Sequence, residues 1–123
     1  MDWGIPRGVV TVTAFSDGSA SVYFLTGGGL IGGGGQPQIA DAARRAVEVA
    51  ASAQAGMRMA AHYPLPGPGE VTFHLLTDDG VFETKVPESQ LATERHELSP
   101  LGNAMQQIIT QYRLWDEGRK AAL

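Results

Sequence analysis

The chain has 123 residues, 43% hydrophobic and 18% charged, which is the composition of one ordinary folded domain and not of a disordered segment. A formal net charge of −4 and a sequence pI of about 5.2 argue against the basic face of a nucleic-acid binder. Lacking cysteine, the chain has no disulfide, thiol nucleophile or zinc–thiolate site, and no apolar run approaches the ~20 residues that span a bilayer. Met1-Asp2-Trp3-Gly4-Ile5-Pro6 carries no charged start followed by an apolar run, so the expected location is cytoplasmic, without a membrane partner.

The first elements form a hairpin. Residues 9–15 and 19–25 are rich in β-branched side chains and flank Asp17-Gly18, a pair that supplies the positive φ angles of a tight turn. A two-residue loop there places Val9, Thr11, Thr13, Phe15, Ala20, Val22 and Phe24 on one face, taken as the core side. The other face then shows Val10, Val12, Ala14, Tyr23 and Leu25, with only Ser21 polar. A strand pair apolar on both faces has to be covered on both. The second cover is either the domain's own helices or termini, or a second copy of the chain held through Val10, Val12, Tyr23 and Leu25.

Residues 27–35 contain seven glycines around Leu30 and Ile31. Gly27-x-Gly29-x-x-Gly32 meets the spacing of a dinucleotide fingerprint, yet such a glycine-rich run meets it almost automatically. The following helix starts only near Pro37 and the next strand enters an antiparallel hairpin, so the parallel βαβ context is missing. No Gly-Lys-Ser/Thr follows, which excludes a phosphate loop of the NTPase kind. Leu30 and Ile31 form an apolar tip and join the expected interface. The alternative is a small anionic or nucleotide-like ligand held by Gly32, Gly33, Gly34, Gly35 and Gln38 at the helix start.

A helix is predicted from Pro37 to about Ala61, with Ile39, Ala43, Ala46, Val47 and Ala50 as a narrow stripe of mostly small residues. Residues 62–70 form a stiff connector rich in proline and glycine. A second hairpin follows over 71–77 and 81–86 around Asp79-Gly80. Its core face carries Val71, Phe73, Leu75, Phe82 and Val86, and its wet face His74, Glu83 and Lys85, with Lys85 directly across from His74. The last helix opens at Ser99-Pro100 and presents Leu101, Ala104, Met105, Ile108, Tyr112 and Trp115 at three- and four-residue steps.

Shifting by 62 positions superposes Asp17-Gly18 on Asp79-Gly80 and Ile39, Ala43, Ala46 and Val47 on Leu101, Met105, Ile108 and Ile109. The expected fold is therefore a single α+β domain over 1–123: two ββα units (9–61 and 71–116) as a pseudo-repeat, an antiparallel sheet, and helices mainly on one face. This order is similar in outline to roadblock/longin-type modules, which are dimeric scaffolds. That resemblance implies an interaction role and carries no site residue across, and the usual leading helix is absent here.

His62, His74 and His96 have no metal-ligand partner at helical or hairpin spacing, and Asp78-Asp79 reads as turn chemistry. No catalytic residue, metal or cofactor is expected. His74 with Glu83 is the only pair whose neighbourhood resembles acid–base chemistry. The expected function is a non-enzymatic interaction or scaffolding module acting as a homodimer.

Overall fold

Residues 1–121 are described by a computed structural model, in which seven antiparallel strands form one sheet accompanied by three helices. The strands are β1 (Asp2–Ile5), β2 (Gly8–Ala14), β3 (Ala20–Phe24), β4 (Gly29–Leu30), β5 (Arg58–Met59), β6 (Glu70–Thr77) and β7 (Gly80–Pro87). The helices are α1 (Pro37–Ala53), α2 (Glu88–Leu91) and α3 (Ser99–Ala121). Strand order is β4-β3-β2-β1-β6-β7-β5, so the expected α+β class and antiparallel sheet are present.

Neither hairpin sits at the centre; β1 does. It turns through Pro6-Arg7 into β2, with Ile5 opposite Gly8 and Trp3 opposite Val10, and pairs on its other side with Thr72 and Val71 of β6. The two hairpins thus meet only through β1, and β2 and β6, both antiparallel to it, run parallel to each other.

The first hairpin differs from the expected register by one residue. Its turn has three residues, not two: the Phe15 amide donates to the Ser19 carbonyl at 2.9 Å, and Gly18 donates to the Phe15 carbonyl at 3.0 Å. Gly18 takes a φ of 93°, the left-handed residue that closes such a loop. The Ser19 amide donates to the Asp17 carboxylate at 2.8 Å, which holds that carboxyl below its usual range. Val10 now faces Phe24, Val12 faces Val22 and Ala14 faces Ala20. Because side chains alternate, the slip sends Val10, Val12 and Ala14 to the core, and Thr11 and Thr13 to the outer face. Val10 and Val12 are accordingly buried beneath the helices and cannot form the expected interface.

In the second hairpin Asp78-Asp79 form the turn and Thr77 faces Gly80. The Thr77 hydroxyl donates to the Gly80 carbonyl at 3.0 Å and accepts the Asp79 amide at 3.2 Å, drawing the turn one place earlier than Asp79-Gly80. Both faces keep their expected residues, but every cross-strand pair changes. His74 lies opposite Glu83, not Lys85.

One face of the sheet carries the core: Met1, Val10, Val12, Ala20, Val22, Val71, Phe73 and Val86, against Ile39, Ala43 and Ala46 of α1 and Leu101, Met105, Ile108 and Tyr112 of α3. The alanine stripe of α1 lets α3 lie close beside it. The first helix ends at Ala53, earlier than Ala61, because the chain turns through Gln54–Gly56 and Arg58–Met59 joins the sheet edge on β7. Tyr112 ties the helical layer to the first hairpin: its hydroxyl donates to the Ala20 carbonyl and accepts the Gly33 amide at 3.0 Å.

On the other face, the proline-rich connector runs back from β5 across the outer side of the sheet. The Gly67 carbonyl occupies the place a Cβ on Gly4 would take, Gly69 donates to the Gly4 carbonyl at 3.0 Å, and the Tyr63 ring lies 5.8 Å from His74.

Replacing Tyr112 with Phe removes one oxygen but strands two buried backbone groups, a loss of about 2 kcal/mol in a urea titration. Tyr23→Phe, at an exposed hydroxyl, is the control and stays within about 0.5 kcal/mol.

Candidate functional site

Four places in this fold carry features that core packing does not explain. The first is the β3–β4 hairpin at one sheet edge. Tyr23, Phe24, Leu25 and Ile31 are 47%, 40%, 63% and 65% exposed. Tyr23 and Leu25 point to the outer face as expected, whereas Leu30, opposite Val22, turns inward and packs on the core. Phe24, a core residue in the expected register, lies exposed near the edge. From Gly18 to Ala40 there is no charged residue at all. β4 contributes only two residues to the sheet edge.

The second is the glycine loop. Gly33–Gly35 forms a single 3-10 turn, and α1 begins two residues later at Pro37. Gly33 is buried where any Cβ would lie 2.7 Å from Ile39 and the Tyr112 ring, and its amide is spent on the Tyr112 hydroxyl. Glycine at 33 is thus demanded by close packing. Gly32 and Gly35 are exposed and Gln38 is exposed on the first turn of α1, so these candidate ligand residues do not converge on a buried pocket.

The third is a polar cluster under the connector. Register brings Asp2, Thr72, His74 and Glu83 to the outer face of β1, β6 and β7. His74 Nε2 is 3.5 Å from the Glu83 carboxylate and Nδ1 is 3.8 Å from Asp2, whose other oxygen accepts a 2.7 Å hydrogen bond from Thr11. The sequence does not single out Asp2, because nothing in a terminal Met-Asp-Trp-Gly announces a central strand. The cluster places an imidazole between two carboxylates, an arrangement suited to ion pairing. Among the described residues no group of three His, Asp or Glu side chains is arranged to hold a metal ion. His96 serves the fold, since its Nδ1 accepts the Leu98 amide at 3.0 Å, one residue before α3.

The fourth is a cavity of about 490 Å³ beside Met1 and Asp2, where β1 begins. It is lined by Met1, Thr13, Ala14 and Phe15 on one side, by His74, Leu75 and Leu76 on the other, and floored by Val47, Ala50, Met57 and Met105. The Met1 amino group stands at its inner end, donating to the Val12 carbonyl at 2.8 Å. Burial lowers the pKa of this amine to about 6, against a small opposing pull from Asp2.

That amine makes stability depend on pH with a definite sign. In the unfolded chain it holds its proton up to about pH 8, and in the folded chain only to about 6. Stability from this group is full above the higher value and declines as pH falls through the interval, by about 3 kcal/mol in all. Urea unfolding between those limits, compared with the same chain acetylated at Met1, isolates the effect. The acetylated chain shows the shallower slope.

No known protein family, curated protein or solved structure matches this chain, so the reading of its function rests on the residues themselves.

Proposed function

We propose that the domain is a non-enzymatic interaction module that acts as a homodimer through the β3–β4 hairpin. The observation that carries this reading is the uncharged edge with Tyr23, Phe24, Leu25 and Ile31 all facing solvent. Tyr23 and Leu25 on the outer face, with Phe24 exposed on the opposite face near the edge, are the kind of exposed apolar residues that mark a contact surface. Tyr and Phe are favoured at such contacts for the area they bury at small entropic cost. Leu30 supports the tip from the inside, and Val10 and Val12 hold the hairpin on the helices.

The same reading treats the chain as two ββα units. A shift of 62 positions carries β2, β3 and α1 close to β6, β7 and α3, which favours a common plan for both halves. Their turns differ in length and only the first half carries the glycine loop and exposed edge. On this view the second unit serves the scaffold and the first carries the contact.

Sedimentation velocity over a dilution series tests the proposal. The native chain sediments as a dimer at its highest soluble concentration, and Tyr23→Lys with Leu25→Lys yields a folded monomer. A native chain that is monomeric throughout, with the double variant unchanged, overturns it.

A further inference from the structure

A second, smaller cavity of about 150 Å³ lies on the outer side of the sheet at the proline-rich connector, lined by Arg58, Pro64, Thr72, Glu83, Thr84 and Lys85. We infer that it is a binding site for inorganic phosphate, held by Arg58, Lys85 and Thr72 and selected by Glu83.

The lining follows from register. Thr72 of β6 lies directly opposite Lys85 of β7, and Glu83, two residues back along β7, lies opposite Arg58 of β5. Cross-strand partners share a face and alternate residues share a face, so all four side chains stand on the outer side, away from the helices. Thr84, opposite Phe73, turns its side chain the other way. Pro64 comes from the connector and, having no N–H, brings no donor of its own. Two cations, a hydroxyl and a carboxylate are thereby gathered from three strands.

The donors in this group have capacity that the fold does not use. Thr72 is only 3% exposed, yet its hydroxyl makes no hydrogen bond. A buried hydroxyl without a partner is uncommon and costly in a folded chain, and it points to a group that supplies one. Arg58 forms no ion pair among the described residues, so its guanidinium offers its full fork of donors. Lys85 stands 3.3 Å from Glu70, which does not line the cavity, and an ammonium has two further donors. Asp2, opposite Thr72 on β1, accepts from Thr11 and is not part of the lining either.

Size and charge define the ligand. Sites for drug-sized molecules begin at about 300 Å³, so a nucleotide is too large. A cavity of about 150 Å³ has the liquid volume of about five waters, room for one tetrahedral oxyanion with little to spare. Arg58 and Lys85 against Glu83 leave the lining net positive, and guanidinium, ammonium and hydroxyl all donate to oxyanion oxygens. Glu83 decides which oxyanion. His74 Nε2 is 3.5 Å from one oxygen of its carboxylate, and that carboxylate has a second oxygen that can only accept. Sulfate has no proton to give at neutral pH and is repelled there. A phosphate monoester loses its last proton near about pH 6 and meets the same repulsion above it. Inorganic phosphate keeps a proton throughout the neutral range and donates it to Glu83.

The site shares no residue with the β3–β4 hairpin, so the sedimentation result and the phosphate result stand or fall separately. Calorimetric titration of sodium phosphate into the full chain at pH 8 and constant ionic strength tests the inference. One saturable site is expected, with sulfate and phenyl phosphate about tenfold weaker or worse. Arg58→Gln and Thr72→Val each weaken phosphate about tenfold, whereas Arg113→Gln, at an exposed position on α3, leaves it unchanged. Without phosphate, Thr72→Val melts no lower than the native chain, because it removes a hydroxyl the fold does not use. Glu83→Gln brings sulfate up to the level of phosphate, since the amide donates where the carboxylate could not. Absence of saturable binding at millimolar phosphate overturns the inference. So does equal binding of phosphate and sulfate by the native chain. A loss on Arg113→Gln as large as that on Arg58→Gln marks unspecific attraction and overturns it too.

Discussion

The pairing of Asp2–Ile5 with strands on both sides holds the sheet together. Asp2 and Trp3 pair with Val10 and Thr11 of β2 on one flank and with Val71 and Thr72 of β6 on the other. Each hairpin is a two-stranded ribbon, a unit too small to be stable alone, and β1 joins the two into one sheet that buries a common face. Its constraints appear in side chains that otherwise look arbitrary. Gly4 has no Cβ because the Gly67 carbonyl lies against it, and Trp3 faces the helices beside the core. A cavity opens beside Met1 and Asp2 at the beginning of this strand.

A second tie runs perpendicular to the sheet. Tyr112, fully buried on α3, reaches both β3 and the glycine loop with one hydroxyl. Satisfying two buried backbone groups at once fixes the height of α3 over the first hairpin and pins the loop at Gly33. The glycine run is thereby divided: its inner end is packing against a ring, and its outer end, with Ile31, is exposed beside the β3 aromatics. The proposed contact surface is built on that division, since an anchored loop presents its apolar tip at little cost in entropy.

Much of the scaffold was legible in the residues. Both hairpins, the start of both long helices and the stripe from Leu101 to Tyr112 follow from alternation, turn residues and helical spacing. The faces of the second hairpin were legible too, because a two-place shift of register leaves alternation intact. The first hairpin was not, since one extra residue in its turn exchanged the two faces of β2 and moved Val10 and Val12 from the expected interface into the core. Of the candidate interface, Tyr23, Leu25 and Ile31 remain exposed; of the cavity walls, Phe15 and Leu76 carried no signal beyond being apolar.

The local elements follow from turn propensity and the periods of strand and helix, which act over a few neighbouring residues. The sequence also lacks charge from Gly18 to Ala40, and hence this half presents an uncharged edge. The tertiary structure alone decided that Asp2–Ile5 is a central strand, that His74 meets Glu83 and Asp2, and that Tyr112 holds Gly33. Each of these depends on residues far apart in the chain, where partners are chosen by the register of a whole sheet. A four-residue segment containing Asp and Gly has too little pattern to declare itself, and becomes a strand because two flanking edges need one between them.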